Sequence, residues 1–218
     1  MRAEVIIIYD LVIWDFNGTI ADDVRMGIDA ANVVLSKRGM RTIDDIEEYR
    51  DMFCFPIKKY YEKLGFDFEK EPYEVPADEW TAEYIKRERE IKLTPGCLAA
   101  LEGIKELGIE QIIISSSEMN MLTREIDILG ISDYFSTVLG KEDNYASGKV
   151  EMAKKWSNGK KYRALFIGDS VHDLETARAI GADCILFSGG HDLKSRLEKC
   201  GVPVIEDIAQ VLDYINRK

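Results

Sequence analysis

Several residue patterns that define common protein classes are missing from this chain. Its 218 residues include only four cysteines and two histidines, and no two cysteines form a Cys-x-x-Cys pair. We therefore expect neither a disulfide framework nor a zinc site, but reduced and mostly buried thiols. There is no proline- or serine-rich stretch, so no linker is predicted.

Clustered basic residues are also missing. Lysine and arginine number 29 against 40 aspartates and glutamates, which gives a formal net charge of −11. Because contacts to nucleic-acid phosphates need clustered cations, we expect no nucleic-acid partner. We interpret the acidic balance as an aid to solubility. A chain this acidic needs a metal ion or a buried lysine to bind an anionic substrate.

No apolar run is long enough to span a membrane. The run at residues 5–8 is broken by Tyr9 and Asp10, and no small-residue cleavage site follows it. A membrane-spanning helix needs about 20 apolar residues, and the apolar core of a signal peptide about 7–15. We therefore expect a cytoplasmic protein without a membrane partner.

From residue 94 onward, short apolar runs alternate with segments of helical periodicity. Glycines precede several of these runs, where a helix ends in a left-handed residue. Such alternation predicts an α/β fold with a parallel sheet and right-handed crossovers. The predicted strands are residues 11–14, 111–115, 134–139, 163–168, 183–187 and 202–205.

Between residues 19 and 93 the pattern is helical throughout. The predicted helices cover residues 23–37, 42–51, 57–64 and 77–90. A helical segment directly after the first strand predicts a cap over the carboxyl edge of the sheet, where it would exclude water. Thr94-Pro95-Gly96 marks the return to the sheet, and a helix follows at 97–107. We expect a core domain, residues 1–20 and 94–218, and a helical cap domain, residues 21–93.

Polar residues follow the ends of the first two predicted strands. Asp15 ends the first strand, at the edge where open α/β sheets bind ligands. Ser115, Ser116 and Ser117 follow the second strand. A hydroxyl and the next backbone amide can hold a phosphoryl oxygen near a helix start, although helix capping is the commoner role for such serines.

A lysine and two aspartates complete the set. Lys149 opens a predicted helix at 149–156, where the helix dipole disfavours a cation, so we expect it to have another partner, for which a phosphate would serve. Lys141 is the second choice for that role. Asp169 and Asp173 lie at a strand–glycine turn–helix segment, and with Asp15 they predict a Mg²⁺ site. Helix capping accounts for either aspartate alone, but not for both.

These four segments, in this order, resemble the four sequence motifs of the haloacid dehalogenase superfamily, and the resemblance runs from Leu11 through nearly the whole chain. It implies a doubly wound parallel sheet with a Rossmann-like core and an inserted helical cap, as in the subfamily that includes phosphoglycolate phosphatases. It also implies a Mg²⁺-dependent phosphatase that hydrolyses a small phosphorylated metabolite through an aspartyl-phosphate. We expect a small-molecule substrate and a monomer or homodimer.

The resemblance assigns roles to individual residues. Asp15 would be the nucleophile. The metal would be bound by Asp15, Asn17 (through its backbone carbonyl), Asp169 and Asp173, and the phosphate by Ser115, Ser116 and Lys149.

Asn17 departs from the family pattern. The family usually has an aspartate there that serves as general acid and base, and an amide can act as neither at an accessible pH. A missing general acid costs about 10²–10⁴-fold when the leaving group is a poorly stabilised alkoxide. We therefore predict a preference for acyl phosphates, phosphoanhydrides or aryl phosphates, whose leaving groups depart without protonation.

A substitute acid is the alternative explanation. The candidates are His172, Asp22 and Asp23, with His191 ranked lower. Since residues at metal-binding turns seldom all point inward, we expect His172 to face solvent. An engineered Asn17 is a further alternative, and we favour a natural asparagine.

Other functions remain open alongside phosphatase activity. A phosphonate hydrolase would need a Schiff-base lysine, for which Lys58 and Lys59 are candidates, and a phospho-ligand sensor would need no turnover. Retention of the aspartates favours an enzyme, and Asn17 disfavours a mutase. We expect the aromatic residues at 53–61 to form the cap's own core rather than a specificity pocket.

Overall fold

A computed structural model describes residues 9–142 and 148–215. Its six strands form one parallel sheet in the order β3-β2-β1-β4-β5-β6. They are β1 (Leu11–Trp14), β2 (Glu110–Glu118), β3 (Thr137–Lys141), β4 (Ala164–Gly168), β5 (Asp183–Phe187) and β6 (Val204–Ile205). This is the strand order of a doubly wound α/β fold, so the predicted fold class is confirmed.

Helices cover both faces of the sheet and form one long insertion. They are α1 (Val24–Lys37), α2 (Ile46–Met52), α3 (Ile57–Lys63), α4 (Glu74–Ile85), α5 (Cys97–Glu106), α6 (Met119–Leu129), α7 (Lys149–Ser157), α8 (Val171–Ile180), α9 (Lys194–Leu197) and α10 (Val211–Ile215). We call residues 24–85, which contain α1–α4, the helical insertion. Within the described ranges, no helix has the length and apolar character to cross a membrane.

The central strands are apolar on both faces, as expected for a sheet that helices cover on two sides. All four residues of β1 are buried. Val12 and Trp14 belong to the apolar cluster on one face, and Leu11 and Ile13 to the cluster on the other. This rigid centre fixes the position of the residue that follows β1.

The helical insertion has an apolar cluster of its own. Val24, Ile28 and Leu35 of α1 pack there with aromatic residues of α2 and α3. The two chain crossings that join the insertion to the sheet lie side by side, because Ala21 pairs with Leu93 in an antiparallel bridge. Division into two domains at these positions stays a prediction.

Two arginines, one on the insertion and one on the sheet side, each donate hydrogen bonds to backbone carbonyls of the other region. Arg50 of α2 donates hydrogen bonds to the carbonyl oxygens of Gly190 and Gly189, at 2.8 and 2.6 Å. Arg196 of α9 donates to the carbonyl oxygens of Asp51 and Phe53, at 2.8 and 3.0 Å. Arginine therefore satisfies backbone carbonyls on both sides of the junction.

Several predicted boundaries shift in the structure. The third strand, predicted at 134–139, is Thr137–Lys141, because Ser132–Tyr134 forms a 3₁₀ turn. The helix predicted at 42–51 begins at Ile46, since the Asp45 side chain caps it. The helix predicted at 77–90 is Glu74–Ile85, followed by a 3₁₀ turn at Glu88–Glu90. The apolar run at residues 5–8 lies outside the described residues.

Candidate functional site

Asp15 and Asp169 follow the ends of β1 and β4, which are neighbours at the point where the strand order reverses. The Asp15 backbone N–H donates to the Ile167 carbonyl oxygen at 2.8 Å, which continues the pairing of the two strands. In open α/β sheets this crevice is where ligands bind. The sheet thus places both predicted carboxylates at one site.

Asp173 joins them to form a buried cluster. Oxygen atoms of Asp15, Asp169 and Asp173 lie within 4.8 Å of one another, and all three residues are buried. Gly18 permits this close packing, since it has a φ of +72° and a Cβ there would collide with Asp169 Oδ2. The three carboxylates for which the sequence predicts a metal site are therefore close neighbours in the structure.

Asp173 also caps α8. Its Oδ2 accepts hydrogen bonds from the Ser170 N–H at 3.0 Å, the Ser170 hydroxyl at 2.6 Å and the Asp169 N–H at 3.1 Å. Ser170 and Asp173 form a reciprocal capping box. Capping thus explains one oxygen of Asp173, and the other oxygen faces Lys149.

Lys149 is the cation of the site. It opens α7, is 2% exposed, and its Nζ forms ion pairs with Asp15 Oδ1 and, at 2.5 Å, with Asp173 Oδ1. Burial disfavours the ammonium, but the two carboxylates outweigh it and raise the pKa of Lys149. The partners of Lys149 in the structure are thus carboxylates, and its binding of a phosphate stays a prediction.

The negative charge of the cluster is only partly offset. Burial raises the pKa of Asp15, with Asp173 adding to the effect and Lys149 opposing it. Burial likewise raises the pKa of Asp169, where His191 opposes it and Asp15 and Asp173 add to it. Three carboxylates beside one ammonium are an oxygen-rich, net negative set of donors, which fits a hard divalent cation.

The Asn17 side chain is hydrogen-bonded at both ends. Its Nδ2 donates to Asp23 Oδ2 at 2.8 Å and lies 3.2 Å from the Tyr84 hydroxyl. Its Oδ1 accepts from the Ser117 hydroxyl at 2.5 Å. Since a carboxylate in this place would lose the donor and face Asp23, the surroundings suit an amide.

Asp23, considered as a substitute acid, is a buried anion. Its Oδ1 accepts from the Gly18 N–H at 2.8 Å and lies 3.2 Å from His191 Nε2, and its Oδ2 accepts from the Tyr84 hydroxyl at 2.8 Å. Burial would raise the pKa of Asp23, but His191 and the hydrogen bonds outweigh burial and lower it. The other candidate here, Asp22, is exposed.

His191 is the cationic partner of Asp23. Burial lowers the pKa of this imidazole, but Asp23, with Asp169 and Asp15, outweighs burial and raises it to about 9. His191 Nδ1 lies 2.6 Å from the Tyr49 hydroxyl of the insertion. A residue ranked low from the sequence is thus part of the site.

His172 does not face solvent, so that expectation is wrong. Its ring stacks on Phe55 with centroids 4.5 Å apart, and its Nδ1 lies 3.2 Å from Glu175. Phe55 comes from the insertion, and contacts between segments so far apart in sequence are invisible in a local pattern. The His172 ring lines the cavity described below.

The serine run continues β2 beyond the predicted end at residue 115. Ser115 is buried, and its hydroxyl accepts from the Ser117 N–H at 3.0 Å. Helix α6 begins only at Met119 and is capped by the Glu118 carboxylate. Ser115 and Ser116 line the cavity beside Asp15, and their binding of phosphate stays a prediction.

Sequence reasoning missed three polar contacts of the site. The Thr19 hydroxyl donates to Asp15 Oδ2 at 3.3 Å, and its position four residues after Asp15, in the same turn, could have shown this. Ser117 is the third residue of a run in which only the first two were assigned a role. Tyr84 lies 61 residues from Asp23 along the chain, and nothing local marks it.

A cavity of about 710 Å³ opens over the carboxylates. Its floor includes Asp15, Asp169 and Lys149, and the opposite wall belongs to the insertion. Aromatic residues 53, 55, 60 and 61 line this wall, while Phe53, Tyr60 and Tyr61 are also buried in the insertion's apolar cluster. The expected role in the core is thus correct for these three, but they face the cavity as well.

Lysines of the insertion differ in their relation to this cavity. Lys58 is among the lining residues, and its ammonium lies 5.2 Å from the centroid of the Phe68 ring. Lys59 is exposed and is not among the lining residues of the described chain. Lys141, at the end of β3, also lines the cavity.

Known proteins resemble this chain in sequence and in fold. A phosphoglycolate phosphatase from Pseudomonas savastanoi is 23% identical over 216 residues, which cover 93% of this chain and 78% of that protein. A haloacid dehalogenase-like family hydrolase from Streptococcus pneumoniae superposes with a TM-score of 0.79 at 18% identity, covering 94% of this chain and 97% of that one.

A third protein, CbbY from Rhodobacter sphaeroides in complex with phosphate, superposes with a TM-score of 0.71 at 17% identity, covering 94% of this chain and 96% of that one. These structural likenesses show the fold. The model of the family described as haloacid dehalogenase-like hydrolase matches residues 12–187, which is most of the chain. The resemblance seen in the motifs is thereby confirmed, and the chain belongs to the haloacid dehalogenase-like hydrolases.

Proposed function

We propose that this protein is a Mg²⁺-dependent phosphatase that forms an aspartyl-phosphate on Asp15. The observation that carries the proposal is the Asp15 carboxylate itself, buried at the crevice of the sheet beside Lys149 and two further carboxylates. The similarity to the phosphoglycolate phosphatase from Pseudomonas and the phosphate bound to the Rhodobacter protein support a phosphorylated substrate.

The reaction has two displacements at phosphorus. An Asp15 carboxylate oxygen attacks the phosphorus, the bond from phosphorus to the leaving oxygen breaks, and that oxygen departs with the electron pair. Water then attacks the phosphorus of the aspartyl-phosphate, the bond to Asp15 breaks, and inorganic phosphate leaves. The proton released by the water passes to solvent or to the departed group.

Other residues bind and orient the phosphoryl group. Lys149 would exchange its contact with Asp15 for a phosphate oxygen, and Ser115 and Ser116 would donate hydrogen bonds to the remaining oxygens. Mg²⁺, held by Asp15, Asp169, the Asn17 carbonyl and, in a supporting place, Asp173, would supply positive charge to offset that of the phosphate. The helical insertion would act as a cap that excludes water.

Asn17 restricts the leaving group in this proposal. Its amide donates to Asp23 and accepts from Ser117, so it is fixed in place but transfers no proton. Leaving groups that are stable as anions do not need that proton. We therefore infer that acyl phosphates, phosphoanhydrides or aryl phosphates react faster than alkyl phosphates.

Phosphate release from acetyl phosphate, 4-nitrophenyl phosphate, a nucleoside triphosphate and glycerol phosphate, each with Mg²⁺ and with chelator, tests this proposal. We expect Mg²⁺-dependent turnover of the first three, slow turnover of glycerol phosphate, and none with Asp15→Asn. Equal rates for glycerol phosphate and acetyl phosphate would remove the inference from Asn17. Absence of turnover on every substrate, together with measurable phosphate binding, would indicate a sensor instead.

A further inference from the structure

The wall that the helical insertion contributes to the cavity is aromatic. Seven rings line it, from Tyr49, Phe53, Phe55, Tyr60, Tyr61, Tyr73 and Trp80. Among the described residues of the insertion, Lys58 is the one lysine or arginine on this wall. An anionic substrate tail would lose hydration against these rings with little charge to compensate, whereas a flat apolar tail would gain contact area.

This aromatic wall begins next to the carboxylates. Phe55 stacks on His172, which immediately precedes Asp173 in the chain. Phe53 stacks on His191 with centroids 5.1 Å apart, and the His191 N–H donates to Asp169 at 2.5 Å. Two histidines thus connect the aromatic wall with the carboxylates, and both sets of residues line one cavity.

The size of the cavity also exceeds what a very small tail needs. Its volume of about 710 Å³ lies within the range of about 300–1,000 Å³ that is typical of sites for larger small molecules. A two-carbon acid would leave most of this space to water and the rings unused. A substrate with at least one ring fills it better.

Leaving-group chemistry selects among ring-bearing phosphates. A phenol has a pKa of about 10, whereas water, which resembles an alcohol in acidity, has one near 16. A phenolate thus departs without help from residue 17 and takes its proton from solvent afterwards. The alkoxide of a ring-bearing alcohol, by contrast, needs a proton in order to depart, and Asn17 does not supply one.

We propose that the substrates are aryl phosphates, phosphate monoesters of a phenol whose ring packs against the Phe55 side of the insertion wall. This proposal rests on the proposed phosphatase function and names its substrate class. In the first displacement the bond between phosphorus and the aryl oxygen breaks, and the phenolate leaves with the electron pair.

Two phosphonates that cannot be hydrolysed test the binding half. Phenylphosphonate and methylphosphonate are compared as competitive inhibitors of acetyl phosphate hydrolysis by the full chain with Mg²⁺, and by calorimetry. We expect phenylphosphonate to bind about tenfold more tightly or better. Phe55→Ala should reduce this ratio about fivefold. Phe135→Ala, a half-buried ring that packs on the sheet and lies outside the lining residues, should leave it unchanged.

Three substrates test the leaving-group half. Phenyl phosphate has a ring and a phenolate, benzyl phosphate has a ring and an alkoxide, and acetyl phosphate has no ring. We expect phenyl phosphate to have a higher kcat/KM than benzyl phosphate, and Phe55→Ala to lower the kcat/KM of phenyl phosphate more than that of acetyl phosphate.

The outcomes separate the two proposals. Suppose that the wild type hydrolyses acetyl phosphate, that Asp15→Asn does not, and that phenylphosphonate binds no better than methylphosphonate. The proposed recognition of aryl groups is then wrong, whereas the proposed phosphatase function is supported. If benzyl phosphate matches phenyl phosphate, the leaving-group argument is wrong. If nothing turns over, calorimetry alone decides whether the wall binds rings, and the phosphatase proposal fails by itself.

Discussion

The two sides of the cavity are built from opposite kinds of side chain. On the sheet side, Asp15, Asp169, Asp173 and Lys149 are all buried, so that charge is concentrated where water is scarce. On the insertion side, the cavity wall is made of aromatic rings. Interactions between charges are stronger in the buried setting of the sheet side, where they fix the positions of the side chains. Contacts with the aromatic rings of the insertion side tolerate different partners.

This contrast separates two kinds of effect. Changes on the sheet side should alter the rate of the chemical step and the stability of the fold. Changes on the insertion side should alter which substrate is preferred, as Phe55→Ala tests. Each experiment below changes one side or the boundary between them.

The largest effect is expected from Asp15→Asn on the sheet side. Without the attacking carboxylate, we expect turnover to fall by at least about 10⁴-fold on every substrate. Lys149 keeps its ion pair with Asp173 at 2.5 Å, so the fold should persist. Phosphate release and a thermal unfolding scan of the same preparation check this. Residual turnover within about tenfold of the wild type would rule out Asp15 as the nucleophile.

Lys149→Met should destabilise the fold. It leaves Asp15 and Asp173 buried without their shared cation, which typically costs about 3–5 kcal/mol of the free energy of unfolding. The matched control is Lys154→Met in the same helix, where the ammonium is half-exposed and pairs with Glu151 at 2.8 Å. That change should cost less than about 1 kcal/mol. Urea unfolding in chelator measures both, and equal losses would contradict the burial argument.

At the boundary of the two regions, Glu125 of α6 should make stability depend on pH. It is fully buried, and neither carboxylate oxygen accepts a hydrogen bond of ordinary geometry from the described residues. Burial, and then the Asp23 carboxylate, raise the pKa of Glu125 to about 8. Because the folded-state pKa lies above the unfolded value, the contribution of this group is fully present below about pH 4.5 and is lost as the pH rises through 8.

Comparison of Glu125→Gln with the wild type isolates that contribution. The wild type should lose about 4 kcal/mol more of its free energy of unfolding between pH 4.5 and pH 8.5 than the variant does. Glu106→Gln, on the exposed side of α5, is the control and should keep the wild-type slope. Parallel pH profiles for all three proteins would show that Glu125 is ionised in the folded state.

The smallest expected effect is a change of preference in Asn17→Asp. The new carboxyl lies beside the Asp23 carboxylate, and this like charge together with partial burial should raise its pKa, so that it can donate a proton. We expect the ratio of glycerol phosphate to phenyl phosphate turnover to rise at least about tenfold. The unfolding free energy should fall at pH values where the new carboxyl is ionised, since it then repels Asp23 and donates no hydrogen bond. An unchanged ratio would mean that another group already supplies the proton.

Local sequence patterns could predict the sheet side of the site but not the hydrogen bonds around Asn17. Asp15 and Asp169 each follow an apolar strand, and parallel neighbours end at one edge, so their meeting is a consequence of topology. Lys149 is predicted to have a special role because it lies at the start of its helix, where the helix dipole disfavours a cation. These signals each lie within a few residues of the chain.

The partners of Asn17 come from distant segments. Tyr84 and Ser117 are separated from it by 67 and 100 residues, and His191 from Asp23 by 168. Their arrangement depends on how the insertion sits on the sheet, which no local pattern encodes. For the same reason the sequence predicts a solvent-facing His172, although this residue stacks on a ring of the insertion.

The paired crossings at Ala21 and Leu93 have a consequence for the construction of the molecule. Asp22 N–H donates to the Lys92 carbonyl oxygen and Thr94 N–H to that of Ile20, both at 2.9 Å, so the chain leaves the sheet and returns at the same spot. The two ends of the insertion are therefore adjacent where they join the sheet, as the two ends of a hairpin turn would be. A designer could exchange the insertion for a different module, and so redirect the carboxylates to new substrates, without rethreading a single strand.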